Sequence, residues 1–426
     1  MTITINIKRF KAIAAPFSFG MIEQILFSGS NFLLNIVLVR ILQPEMYGAY
    51  VVMASVLLFV ATVSSSLVLE PMLVIGQVYY KDKIVQYQRA VVLLQVLIAL
   101  SIVIILSFFF VFIRIITHST DISFSGLLFA IPFILLYYTL RFFCYTSGRT
   151  DIAFRVTALY TVAMFLGLFV AWFFTVISAV TVFLILGVSS GSISIVFFHF
   201  LKINFSFTFF SQNKKFIGDV AKRHWTYGRW ILGSNTFSWI SNYAYALVLA
   251  ASVGLGASGI YRALENLVLP IEQLLTLTGN FMIPQISRER SRGRSYVYSM
   301  TFRIACVLVS CVLLYGSALV LFGDRFISLL YGAKFYQPYL WLVPFLIGAS
   351  AVRALSDVGL NIPLRIYERT DLLLIVSAAG ALVTVTVGFL FVKNFGLLGA
   401  GSAKVLVVGI QLLVSGWLLR KLKTVN

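Results

Sequence analysis

Inside long apolar runs of this sequence, ionisable and amide side chains recur at helical spacing. Glu23, Gln24, Ser28, Asn31 and Asn35 fall on one face of a helix. Asn235, Ser238 and Asn242 make a similar stripe, and Arg262, Glu265, Asn266, Leu269, Glu272, Gln273, Thr276 and Asn280 form a polar face along most of another run. Ser55, Thr62, Ser66 and Glu70 mark a further run that ends at Pro71, while Arg353, Asp357 and Lys404 are charges set in later ones. An ionisable group at membrane depth costs about 2.5–3.5 kcal/mol on insertion scales, so each calls for a partner, a water-filled cavity or a role. Turned to a hydrated cavity, such groups replace water around a hydrophilic solute; turned to neighbouring helices, Asn, Gln, Ser and Thr only bridge them. Arg353 precedes Asp357 by one helical turn, so an intrahelical pair competes with a binding role. Arg40 stands at the end of a run, where it can snorkel, and Lys404 has no acid near it in sequence. Glu23, Glu70, Glu265 and Glu272 could couple solute movement to protons or sodium, as buried carboxylates do in pumps.

The elements that must position these groups follow from composition. Of 426 residues, 60% are hydrophobic and 11% charged, with mean hydropathy +0.98, which excludes a water-soluble domain. Apolar stretches long enough to cross hydrocarbon fall at about 18–39, 49–76, 90–113, 122–145, 155–175 and 179–200, then at about 229–252, 260–286, 299–322, 338–361, 371–392 and 396–419. The expected fold is all-α: a polytopic membrane protein of about 12 transmembrane helices in two six-helix lobes, residues 1–200 and 229–426, joined by a basic cytoplasmic linker at 201–228. The first run, which contains Glu23 and Gln24 and has no small-residue cleavage site, is expected to be a retained helix. Lys and Arg gather near 8–11, 81–89, 141–155, 202–229, 288–303, 365–369 and 420–423, and the intervening loops hold only Arg40, Arg114, Arg262, Arg325, Lys334 and Lys393. That alternation has no exception, so both termini are expected in the cytoplasm. It also accounts for the net charge of +19 without a nucleic-acid partner. The run from Arg288 to Arg294 fits a topology-fixing loop better than a headgroup site.

The two halves echo each other at an offset of about 211–220 residues. Gly48-Ala49-Tyr50 answers Gly259-Ile260-Tyr261, Pro71 answers Pro284, Pro132-Phe133 answers Pro344-Phe345, and Arg149-Thr150-Asp151 answers Arg369-Thr370-Asp371. Six spans per half give the copies one orientation, the parallel repeat of transporters whose path runs between two lobes. The faces on the first, second, seventh and eighth helices are then expected to turn toward that path.

The stretch from Val39 through Arg40, Leu42, Pro44, Tyr47 and Gly48 to Tyr50 resembles a loop of the polysaccharide transporters, including O-antigen flippases of the Wzx type, within the multidrug/oligosaccharidyl-lipid/polysaccharide flippase superfamily. Gly259-Ile260-Tyr261-Arg262-Ala263 leading to Ile283-Pro284-Gln285-Ile286-Ser287-Arg288 is similar to that family's eighth helix and its exit, and Gly396-Leu397-Leu398-Gly399-Ala400-Gly401 to the start of its last helix. Gln43 stands where the family usually has Gly, and the glycine-rich start of the sixth helix has no good match near 178–187. The resemblance implies a flippase that carries an undecaprenyl-diphosphate-linked oligosaccharide from the cytoplasmic to the periplasmic leaflet of a bacterial inner membrane, with other polysaccharide-assembly membrane proteins as partners. Arg40, Arg262, Arg353 and Lys404 would then neutralise the diphosphate in transit.

The nearer rival is a drug or cation antiporter of the same superfamily, and a lipid II flippase or teichuronic-type exporter belongs to the same branch. A membrane-embedded polysaccharide polymerase is the rival from the enzyme class. Its signature would be a large outer loop with Arg and His, whereas the longest outer loops here, near 113–123 and 323–337, are short. No nucleophile, base and orienting acid converge in sequence, so no enzyme is expected. Cys144, Cys306 and Cys311, with His118, His199 and His224, show neither a disulfide framework nor metal-ligand spacing, and no cofactor is expected beyond a proton or sodium gradient.

Overall fold

A computed structural model describes residues 7–117, 124–201, 203, 209, 212–332, 334–367 and 369–424; His118 and residues 202, 204–208, 210 and 211 of the expected linker lie outside the described residues. Backbone polar groups have no water to bond in hydrocarbon, so apolar runs of this length must close their hydrogen bonds internally. They do so as helices: α1 (Ile7–Ile41), α2 (Pro44–Ser64), α3 (Glu70–Tyr79), α4 (Ile84–Thr117), α5 (Ser125–Thr146), α6 (Thr150–Phe173) and α7 (Ala179–Phe200). These are followed by α8 (Lys214–Ser252), α9 (Leu255–Arg288), α10 (Arg294–Tyr331), α11 (Val343–Arg353), α12 (Ile362–Ile366), α13 (Thr370–Val383) and α14 (Phe389–Thr424). Short π-helical turns at Ser65–Leu69, Ala354–Asn361 and Thr384–Gly388 join α2 to α3, α11 to α12 and α13 to α14 without a break in the helical path at the joint. Among the described residues there is no strand.

Nine stretches among the described residues are long and apolar enough to cross a membrane. The last of them, Asp371–Lys421, is broken at Gly396, whose φ of 55° and ψ of −126° turn the chain between the two spans expected at 371–392 and 396–419. The expected seventh and eighth spans are the helices α8 and α9, long enough to cross but too polar to count by hydropathy. The chain is thus a multi-pass, all-helical membrane protein. Its outward side chains agree, since Phe108, Leu321 and Leu413 are all more than 70% exposed, a surface that would be anomalous in water and is ordinary in lipid.

The helices form two compact units. The first comprises residues 1–34 and 56–232, the second 35–55 and 233–426. This division differs from the expected 1–200, 201–228 and 229–426. The end of α1 and start of α2 go with the second unit, and α8 begins inside the expected linker and joins the first unit up to Leu232. Each reassignment has a contact behind it. In the second unit, a Cβ on Gly48 would lie 1.8 Å from the Leu255 carbonyl oxygen, and one on Gly259 would lie 2.4 Å from that of Pro44, so two glycines that correspond in the internal repeat let α2 and α9 meet backbone to backbone. In the first unit, the Tyr80 hydroxyl donates to Asp219 at 2.5 Å, and His224 donates from Nδ1 to the Leu67 carbonyl at 3.1 Å.

Within the first unit α5 packs most extensively on α7, around Leu127, Ile131, Leu135, Val182 and Phe183, all buried. Within the second, α10 packs on α11 and the turn that follows it, with Ala305, Leu308, Ala354 and Val358 in the core, and α14 covers α11 and α13. The repeat recurs in backbone geometry: Arg149 caps α6 at φ −94°, ψ 57°, and Arg369 caps α13 at φ −92°, ψ 54°.

Candidate functional site

The second unit holds a polar cavity of about 190 Å³ against the long polar face of α9. Arg262, Glu265, Glu272, Gln273 and Thr276 line it from α9, Asn242 and Tyr243 from α8, Ser350 and Arg353 from α11, and Lys404 from α14. The spacing along α9 puts Arg262, Glu265, Glu272 and Gln273 on one side. The opposite side is fixed from α10, where Tyr331 donates its hydroxyl to the Ala263 carbonyl at 2.7 Å and Tyr315 to that of Leu267 at 2.8 Å.

The charges are organised around two carboxylates. Glu265 accepts from Arg262 Nη1 through Oε2 at 2.6 Å and from Lys404 Nζ through Oε1. Both its side chain and that of Lys404 are 10% exposed. Glu272 accepts from Arg353 Nη1 at 2.6 Å and from the Ser350 hydroxyl at 3.0 Å. Arg353 also donates from Nε to Asp357 at 3.1 Å, and Asp357 accepts from Asn361 at 3.1 Å. The intrahelical pair expected of Arg353 and Asp357 therefore exists, with Glu272 as a second partner. Lys404, without an acid nearby in sequence, finds one 139 residues away.

Asn266 points elsewhere. Fully buried, it donates to the Tyr47 hydroxyl at 2.9 Å, which donates in turn to Asn35 Oδ1 at 3.0 Å. Asn35 thus serves the junction of α1, α2 and α9 that the paired glycines permit. Asn242 is half-buried at the cavity and donates to the Ser238 carbonyl at 2.8 Å; Asn235 is half-buried farther along α8. Arg40 is exposed at the end of α1, its guanidinium beside Gly332.

The remaining predicted residues lie in the first unit. Glu23 is completely buried and accepts through Oε1 from Arg141 Nη2 at 2.7 Å and Nε at 2.8 Å and from the Thr157 hydroxyl. The Arg141 guanidinium lies 3.7 Å over the Phe27 ring and reaches Gln24 Oε1 at 3.4 Å. Arg141, counted in sequence among the cytoplasmic loop cations, is instead 5% exposed inside α5, because the apolar run continues through Phe142, Phe143 and Cys144 before the chain turns. At Glu23 the polar face of α1 thus binds α1 to α5 and α6. Asn31 donates to the Phe27 carbonyl at 2.9 Å, and Glu70, directly after the π-turn, accepts from the Ser65 hydroxyl at 3.3 Å. His224, ahead of the expected seventh span, is 2% exposed, with Nε2 accepting from the Tyr87 hydroxyl at 2.8 Å; burial pushes its pKa down to about 4. Sequence reasoning passed over Arg141, Ser350, Tyr243 and His224. Only Arg141 carried a signal, as a charge followed by three more apolar residues.

No family model and no curated protein matches the sequence. Solved structures do match. A lipid II flippase, MurJ, in an inward closed conformation superposes with a TM-score of 0.73 at 12% identity, covering 94% of this chain and 87% of that one. An inward-facing multidrug resistance transporter of the MATE family, of the MOP superfamily, gives 0.69 at 13% identity, covering 96% and 98%. A MOP superfamily transporter from Pyrococcus furiosus, described as having a binding pocket of reverse polarity, gives 0.61 at 14% identity, covering 96% and 94%. The chain has the fold of these transporters. An all-helical, polytopic transporter was the expectation from hydropathy, charge and the internal repeat, and the superfamily's fold was what the resemblance implied. The three differ in what they are named for, so the likeness leaves the cargo to the residues of the cavity.

Proposed function

We propose that the chain is a transporter that flips an undecaprenyl-diphosphate-linked oligosaccharide, an O-antigen or similar surface-polysaccharide repeat unit, from the cytoplasmic to the periplasmic side of a bacterial inner membrane. The observation that carries this reading is the placement of Arg262, Arg353 and Lys404 around one cavity in otherwise apolar helices. Guanidinium and ammonium groups match phosphate oxygens, and three cations kept at membrane depth against their insertion cost point to an anionic cargo. Asn242, Gln273, Thr276 and Ser350 supply amides and hydroxyls for the adjoining sugars. In this reading transport proceeds by alternating access, both termini are cytoplasmic, and the polyprenyl tail stays in lipid while the headgroup crosses. The likeness to a lipid II flippase supports a lipid-linked cargo.

A drug or cation antiporter is the second reading, favoured by the likeness to a multidrug transporter and by Glu265 and Glu272 on the same cavity wall. Deleting the gene in its native host and resolving the lipid-linked oligosaccharide pool by leaflet separates the two. Loss of surface polymer with single repeat units held on the cytoplasmic side is the expected result. Normal polymer with increased drug sensitivity selects the antiporter, and unpolymerised units exposed outside select a polymerase.

A further inference from the structure

The cations of the cavity are not available as they stand. Arg262 and Lys404 share Glu265, and Arg353 is held between Glu272 and Asp357, so three cations meet three carboxylates. An anion entering this neutral set would strip a cation from a carboxylate and leave that carboxylate uncompensated in a site largely removed from water, the costly half of breaking a buried pair.

The two carboxylates differ in how far they depend on their cations. Glu265 has a cation on each oxygen, and its side chain is 10% exposed. Glu272 has one cation and a serine hydroxyl, and its side chain is 22% exposed. Its cation has somewhere else to go, because Arg353 retains Asp357 through Nε when Nη1 is released. Among the described residues the charged and titratable groups around Glu272 are Arg353 and Asp357 from α11 and the turn after it, Tyr243 from α8, Lys404 from α14, and Tyr261, Arg262 and Glu265 on its own helix. None of the others can gain a proton and release a cation at so small a loss of pairing. Asp357 already accepts from Asn361, lies outside the cavity wall, and is needed to hold the guanidinium in place.

Resting on the reading of the cavity as the seat of a phosphate-bearing cargo, we infer that the anionic headgroup and one proton bind together. A proton from solution neutralises Glu272, Arg353 Nη1 turns from it to a phosphate oxygen, and the proton offsets one of the headgroup's negative charges, so that no bare carboxylate is left beside it. Unloading reverses both steps. The headgroup is thereby coupled to protons as a companion, not as an exchange partner.

Binding of farnesyl diphosphate and of inorganic pyrophosphate to the purified full-length protein tests this, by calorimetry between about pH 5.5 and pH 8 in buffers of different ionisation enthalpy. Glu272→Gln serves as the reference that carries the ligands' own titration. The wild type should take up about one proton per farnesyl diphosphate beyond that reference, and its affinity relative to Glu272→Gln should rise by up to about tenfold for each pH unit of acidification. Where the variant does not fold, proton uptake by the wild type on binding sulfate, an anion that does not titrate in this range, decides the matter. Equal pH dependence in both proteins, or no proton uptake, overturns co-binding while leaving the cargo reading intact. Proton-linked binding of pyrophosphate without a preference for the farnesyl ligand keeps co-binding and removes the lipid-linked cargo. Failure of both folded proteins to bind either ligand removes both.

Discussion

Replacing Arg141 by Met would leave the Glu23 carboxylate fully buried and without its cation, retaining only the Thr157 hydroxyl. Removing one partner of a buried pair costs about 3–5 kcal/mol, chiefly because the remaining charge is unpaired. Replacing both partners by neutral groups of similar volume is close to neutral. The double variant Glu23→Gln with Arg141→Met should therefore recover most of what the single change loses. The cation–π contact over Phe27, at 3.7 Å, is lost in both and is worth about 0.5–2 kcal/mol, which bounds what is not recovered. Thermal unfolding of the detergent-solubilised protein, read as a double-mutant cycle, provides the measurement. A double variant as destabilised as the sum of the two single changes would refute the pair as the element holding α1 to α5 and α6. So would an Arg141→Met protein as stable as the wild type.

Acidification provides a second test in the same unit. His224 is neutral when folded, with a pKa near 4, against an ordinary value of 6.5. The unfolded chain thus binds the extra proton between those values, and stability unaffected above pH 6.5 falls by up to about 3 kcal/mol as pH drops toward 4. His224→Gln should flatten that part of the pH–stability curve. Ala at Gly48 or Gly259 should cost about 1–3 kcal/mol through overpacking against backbone, whereas Ala at Gly29, where a Cβ meets nothing within 4 Å, should be neutral; melting temperatures distinguish them. Lys404→Met should abolish transport and destabilise the second unit, and adding Glu265→Gln should restore its stability but not transport, as measured by melting and by surface-polymer complementation. Tyr47→Phe should cost about 1 kcal/mol by removing the hydroxyl between Asn35 and Asn266.

Much of the fold was legible because a bilayer imposes few solutions. Apolar length placed the spans, and the alternation of Lys and Arg pointed to α8 and α9 as well, although their polar faces make them less apolar than the other long helices. Gly48 and Gly259 stood out as repeat partners before their contacts were visible. What remained hidden was pairing between distant residues. Nothing around Lys404 names Glu265, and nothing around Glu23 names Arg141, because helix spacing relates residues only within a turn or two. For the same reason the face of α1 read as a single surface, although Glu23 is sealed within one unit and Asn35 belongs to the other.

The reach from Glu265 to Lys404 also orders events at the ribosome. Glu265 and Arg262 enter the bilayer as neighbours, but the second cation follows only after another 139 residues have been made. At about 5–20 residues per second that is a wait of roughly 7–28 s. Throughout it Glu265 is held by Arg262 alone, a neutral pair within one helix, and the tie from α9 to α14 closes only when the last helix has been made.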